Sequence, residues 1–302
     1  MTIVVAGSAN VDFILRVTAL PQPNQTITGR DMAVAIGGKG LNQAVACARL
    51  GTPTKMIAAV GEDSFAGQAL SYLKANGVDT RHVAALAGVA TGVANIFVAE
   101  DGQNMIVVTP GANARLTPGM IDAAEPAIAE ARALIVQLET PLDAVKRALE
   151  VARRHGVMTV LNPAPVQAGA EALFPLADLV TPNETELAAL TGIAGQDDVS
   201  LTRALQAVIG AGAGQAVVTL GAQGSATLID GELVRVPAFK VKAVDATGAG
   251  DHFNGALVSR LVQGEDLLTA LRYASAASAL SVTRASADSA ATKAEVEAFL
   301  GL

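Results

Sequence analysis

Residues 133–165 read ALIVQLETPLDAVKRALEVARRHGVMTVLNPAP. The first segment, ALIVQLE (133–139), opens on an unbroken apolar run, as a strand covered on both faces requires. PLDAVKRALEVARRHG (141–156) has the spacing of an amphipathic helix and closes on glycine. MTVLNPAP (158–165) starts as a second buried strand. Strand, helix and strand in this order form one crossover unit of a parallel sheet.

The alternation extends outward in both directions. Upstream, TIVVAGS (2–8) and KMIAAVG (55–61) read as strands, and LNQAVACARLG (41–51) and FAGQALSYLKANG (65–77) as helices. Downstream, LADLVTPN (176–183) and AVVTLG (216–221) read as strands. ETELAALTG (184–192), GDHFNGALVSRLVQG (250–264) and DLLTALRYASAASALSVT (266–283) read as helices. This predicts an α/β fold: a mostly parallel sheet with helices on both faces. Two regions, 13–36 and 91–109, break the rule with period-2 patterns, the second as a hairpin around Asp101-Gly102. They predict a small second sheet inserted into a single unit spanning 1–302 and placed as a lid beside a cleft. Its apolar face would close on substrate or pair with another subunit.

Composition narrows the function. A chain that is 51% hydrophobic and 16% charged is not disordered. Cys47 has no partner for a disulfide and reads as a small buried hydrophobe. A net charge of -7 and an aromatic content of 3% without tryptophan argue against nucleic-acid binding. Mean hydropathy is +0.42, and Ala204–Ile229 carries no charge. Gly210, Gly212, Gly214, Gly221 and Gly224 interrupt that stretch, so it reads as helix, turn and strand instead of a membrane span. MTIVVAGSANVD lacks the basic start of a signal peptide, and a cytoplasmic location is the expectation.

Four polar clusters sit where strands end or helices begin. Asp245-Ala246-Thr247-Gly248-Ala249-Gly250-Asp251 is a glycine-rich turn opening a helix, a ready anion site. A carboxylate there repels an anion but can accept a proton from a hydroxyl that attacks it. Asp251 thus reads either as a general base, with Gly248 to Gly250 holding a transferring phosphoryl group, or as an acid balancing the helix dipole. Gly37-Gly38-Lys39-Gly40-Leu41-Asn42-Gln43 is a ligand loop or an ordinary tight turn; it lacks Walker A spacing. Asn183 with Glu186 fits a capping box, or places a carboxylate to hold a magnesium-bound water. Asn10 and Asp12, after the first strand, are turn residues or partners for vicinal sugar hydroxyls, and Glu139 has the same two readings. His82, His155 and His252 lie too far apart in sequence to suggest a zinc site.

Together the clusters resemble the ribokinase family of ATP-dependent sugar kinases, the PfkB-type carbohydrate kinases. The similarity runs through G-S-x-N-x-D, G-G-K-G-x-N-Q, Q-L-E, N-P-A-P (162–165), T-P-N-E-T-E (181–186), T-L-G (219–221) and G-A-G-D-x-F-N-G, in that order over nearly the whole chain. The resemblance implies a three-layer α/β/α fold with a β-sheet lid that also makes a homodimer. It implies that Asp251 is the base and that the amides of Ala249, Gly250 and their neighbours bind the phosphoryl group. Asn10, Asp12, Gly38, Lys39, Asn42 and Glu139 match sugar-binding positions. Asn183, Glu186, Thr219, Gly221 and Ser275 match the nucleotide side, with Glu186 reaching Mg2+ through water. Asp245 and Thr247 match the start of a K+ loop. The implied activity is ATP-dependent phosphorylation of D-ribose to D-ribose 5-phosphate. The alternatives are another small sugar, such as 2-deoxyribose or a ketohexose, and a catalytically silent sugar-binding protein. His252 departs from the small residue that usually follows the base, and 284–290 lacks the usual glycine of the cation loop.

Overall fold

The computed structural model describes residues 1–101, 103–284 and 289–302. In chain order it begins with β1 (Ile3–Ala6), β2 (Asn10–Val17), β3 (Asp31–Gly37), α1 (Lys39–Arg49), β4 (Thr54–Gly61), α2 (Ser64–Ala75), β5 (Val78–Leu86), β6 (Gly92–Ala99) and β7 (Asn104–Thr109). Then come α3 (Pro118–Ala123), α4 (Glu125–Ala129), β8 (Ala133–Val136), α5 (Leu142–Arg154), β9 (Met158–Leu161), β10 (Leu179–Val180), α6 (Glu184–Thr191) and α7 (Asp198–Gly210). The chain ends with β11 (Val217–Thr219), β12 (Ser225–Ile229), β13 (Glu232–Val236), α8 (Ala249–Leu261), α9 (Leu267–Ser281) and α10 (Lys293–Leu300).

Six parallel strands form the central sheet in the order β10-β9-β8-β1-β4-β5. Alternate side chains of each strand enter opposite cores, as period 2 demands. Val4, Ala6, Leu134 and Val136 pack with Val145 and Leu149 of α5 and Leu205 of α7. Ile3, Val5, Ala133 and Ile135 pack with Leu41 of α1, Leu257 of α8 and Leu271 of α9. The result is three layers, α/β/α, with both sheet faces dry. β11 extends the sheet through the bridges Val180↔Ala216 and Asn183↔Thr219, and pairs with β12, which pairs with β13, in an antiparallel sheet.

The two regions that break the alternation pair with each other. β3-β2-β6-β7 is a four-stranded sheet, antiparallel except for β2 against β6. Phe13 sets one face on α2 through an edge-to-face contact with Phe65 at 5.6 Å. The expected hairpin is present as β6–β7, while Gly102 of its turn lies outside the described residues. Among the described residues, no helix is long and apolar enough to cross a membrane.

Strand order positions the site. The chain moves from β1 outward to β4 and β5, then returns to place β8 on the other side of β1. Ligands bind at such a reversal, beyond the carboxyl ends of the strands. Ser8, Asn10 and Asp12 follow β1, and Gln137 and Glu139 follow β8.

Candidate active site

The G-G-K-G loop becomes the start of α1. Gly38, at φ 97°, takes a backbone conformation that side chains avoid, and a Cβ there would meet the Asn10 amide nitrogen at 2.9 Å. A Cβ on Gly40 would lie 2.6 Å from the Gly7 carbonyl carbon, so this loop and the one after β1 touch backbone to backbone. Glu139 ties them together: it accepts from the Ser8 hydroxyl, and from the Lys39 amide at 3.0 Å. Asn10 and Asp12 are not turn residues, because the chain re-enters strand at once and both belong to β2, paired with β3 and β6. Asn10 is buried and accepts from Asn113 Nδ2 at 2.6 Å.

Asp251 is the third residue of α8. Its Oδ2 accepts from Asn42 Nδ2 at 3.0 Å and its Oδ1 from Gln43 Nε2 at 2.9 Å, both on α1. Gly255 permits this close approach of the helices, since a Cβ there would meet Ala46 Cβ at 2.6 Å. Gly248 caps α8 at φ 75°. The Ala249 amide, expected among the phosphoryl donors, turns back to the Ala246 carbonyl at 3.2 Å. Among the described residues, the Gly250 and Asp251 amides have no acceptor and remain the free donors at this helix end.

A cleft of about 780 Å³ opens beside Asp251. Lys39, Asn183, Glu186, Thr219, Gly221 and Ser275 all line it, together with Gly248 to Asp251. Asn183 and Glu186 do form the capping box: the Glu186 amide donates to Asn183 Oδ1, and the Asn183 amide to Glu186 Oε2, each at 2.8 Å. The two readings of these residues are therefore compatible, because Oε1 of Glu186 is not used by the cap. Burial raises the Glu186 pKa. Burial works to lower the Lys39 pKa, but the Asp251, Glu139 and Glu186 carboxylates hold it above its usual value.

On the other side of the α8 terminus, a small recess is lined by Asp12, Gly37, Asn42, Thr247, Gly248 and His252. Burial, with Glu139 and Asp251 adding negative charge, pushes Asp12 up to about 6. His252 is buried against Ser289 at 2.8 Å, and burial pushes it down to about 4, so it is neutral at pH 7. Asp245 Oδ1 accepts from the Thr247 amide at 2.8 Å. Residues 285–288 of the expected cation loop lie outside the described residues.

Asp251 thus stands on the wall of the large cleft, and Asn42, which donates to it, stands on the wall of the recess. The PfkB family carbohydrate kinase pattern matches residues 1–294. The chain belongs to this family. The kinase is 39% identical to the ribokinase of Haemophilus influenzae over 300 residues, covering 99% of this chain and 98% of that one. It is 36% identical to the deoxyribokinase of Salmonella typhi, covering 94% and 93%. A solved structure of Arabidopsis thaliana ribokinase complexed with ribose and ATP matches with a TM-score of 0.92 at 31% identity, covering 99% and 98%.

Several residues of the site have no role legible in the sequence. Gln43, Gln137 and Asn162 lie inside motif stretches, on a helix and beyond two strand ends, where a buried amide looks like any polar break. Ser8 is legible only as part of its motif. Asn113, which accepts from the Ala9 amide and donates to Asn10, comes from a short 3-10 turn with no signal of its own.

Proposed function

We propose that this kinase transfers the γ-phosphoryl group of ATP to the 5-hydroxyl of D-ribose. The observation that carries the reading is the place of Asp251, on the wall of the cleft of about 780 Å³ and bonded to Asn42 of the recess that also holds Asp12. Asp12 and Asn42, with Asn10, Gly38, Lys39 and Glu139 around them, bind the sugar. Asp251 takes the proton of the 5-hydroxyl as that oxygen attacks the γ-phosphorus. The bond from that phosphorus to the β–γ bridging oxygen breaks, its electron pair leaves with ADP, and the proton passes to solvent. The Gly250 and Asp251 amides at the α8 terminus stabilise the charge that builds on the phosphoryl oxygens. Thr219, Gly221 and Ser275 bind the nucleotide.

Mg2+, carried by ATP, neutralises phosphate charge. Oε1 of Glu186 fits a magnesium-bound water, since Mg2+ keeps most of its waters and takes few carboxylates. Asp245 and Thr247 would hold K+; among the described residues nothing donates to Asp245 Oδ2, which leaves it for a cation. The β3-β2-β6-β7 sheet is the lid of a single unit. Its exposed apolar residues, Met32, Val34, Met105, Ile106, Val107 and Val108, support a homodimer built through it.

The test is ADP release from Mg-ATP in potassium buffer with D-ribose, 2-deoxyribose, fructose and adenosine in parallel. The reading expects the highest kcat/KM with D-ribose. Preference for 2-deoxyribose moves the assignment to that sugar with the mechanism unchanged, and no turnover on any of them contradicts kinase activity on these substrates.

A further inference from the structure

Gln43 is fully buried, so it cannot touch the sugar. Its Nε2 donates both to Asp251 Oδ1 at 2.9 Å and to Asn162 Oδ1 at 3.0 Å. Its Oε1 accepts from Gln137 Nε2 at 2.7 Å. Asn162 cannot turn its amide over, because its Nδ2 must donate to the Thr181 carbonyl at 2.9 Å. Gln43 cannot turn either: reversed, it would place Oε1 against two acceptor oxygens. Gln137 is bound by the same logic, and it is packed so tightly that a Cβ on Gly7 would lie 2.0 Å from its Oε1. The three amides therefore form a network with one possible orientation, in which Asp251 receives a donor.

We infer that Gln43 is a positioning residue for phosphoryl transfer: it fixes the rotation of the Asp251 carboxylate so that Oδ2, shared with Asn42, faces the sugar hydroxyl. The inference rests on the reading of Asp251 as the base. Gln137 and Asn162 set the direction of Gln43, which makes the effect of each graded by its distance from the carboxylate. Removing a donor from the carboxylate adds a pH-profile readout to that of kcat.

The experiment compares Gln43→Met, the isosteric Gln43→Glu, Gln137→Met and Asp251→Asn with the unaltered kinase. It reads kcat, the KM for the sugar, and the acid limb of the kcat/KM pH profile with the sugar that turns over. For Gln43→Met, kcat falls about 10- to 100-fold, the size expected for one charge-assisted hydrogen bond, while KM changes less than about threefold. Its acid limb moves to higher pH. Gln43→Glu moves the limb further, because a second carboxylate faces the first. Gln137→Met moves kcat and the limb in the same direction by less, and covers the case in which a Gln43 variant does not fold. If Asp251→Asn collapses kcat while folded Gln43 and Gln137 variants keep kcat within about twofold and the limb in place, the positioning role is wrong and the base reading stands. A change in KM alone overturns it as well. If Asp251→Asn keeps its kcat, the reading of the base itself fails.

Discussion

Asp12 is a buried carboxylate whose charge changes well above the usual carboxylate range. Burial, then Glu139 and Asp251, push it from the usual 3.8 up to about 6. A carboxylate raised in the folded state contributes stability below its unfolded pKa and loses it as pH rises through the folded value. The free protein thus gives up this contribution as pH climbs from 3.8 through about 6; in the proposed sugar site, the charge so produced would face the sugar hydroxyls. Ionised Asp12 accepts two hydroxyl hydrogen bonds; protonated, it has less acceptor capacity. Ribose affinity measured by calorimetry should weaken about tenfold from about pH 7 to about pH 5, and Asp12→Asn should flatten the dependence. A wild-type affinity that does not change over this range contradicts the role given to Asp12. Gly37 belongs to the same device, since a Cβ there would strike Asp12 Oδ2 at 2.2 Å.

At the scale of elements, the joint between the central sheet and the four-stranded sheet depends on Asp63. It caps α2 by accepting from the Ala66 amide at 2.9 Å. It also accepts from the Thr91 amide at 2.8 Å and the Thr91 hydroxyl at 2.7 Å, just before β6. The Gly61 amide, at the end of β4, donates to the same hydroxyl at 3.0 Å. Burial works against the Asp63 charge, but the Thr91 and Ala66 hydrogen bonds outweigh it and lower the pKa. Asp63→Ala should cost about 2–3 kcal/mol in urea unfolding near pH 7, a cap and a charge-assisted bond together. The folded pKa is depressed, so this stabilisation is present above the usual carboxylate range and lost as pH falls. The gap between variant and wild type should close in acid; an equal gap at both pH values would mean that packing, not the charge, holds the joint. Elements are legible in the sequence where one pattern runs unopposed. Apolar runs locate β1, β4 and β8, and glycine-ended amphipathic stretches locate α1, α2 and α5. LADLVTPN promises a longer strand than β10, which keeps only Leu179–Val180 because the chain there turns toward the cap of α6. The β12–β13 hairpin escapes a reading by apolar runs, although Asp230-Gly231, with φ 51° and 85°, is the turn that marks it. β5 escapes as well, since VDTRHVAAL mixes charge into a strand at the sheet edge.

At the scale of the whole molecule, clusters as far apart as Gln43 and Asp251, separated by 208 residues, meet because the strand order reverses beside β1. The residues of the G-A-G-D, T-P-N-E-T-E and T-L-G stretches line one cleft, and Asp12 and Asn42 line the recess behind it. Motifs name these residues but not their partnerships. The amide network from Gln137 through Gln43 to Asp251 crosses three separate segments, and no local spacing encodes it. The Ala249 amide shows the same limit: its motif marks it as a phosphate donor, and the turn gives it to Ala246. In the proposed reaction everything turns on one proton, which Asp251 would remove from the sugar hydroxyl. The most direct test is the kcat of Asp251→Asn with D-ribose and Mg-ATP, measured as ADP release beside calorimetric ribose binding. The prediction is a fall of about 10²- to 10⁴-fold in kcat with ribose affinity nearly kept. A variant that turns over at close to the wild-type rate would contradict it.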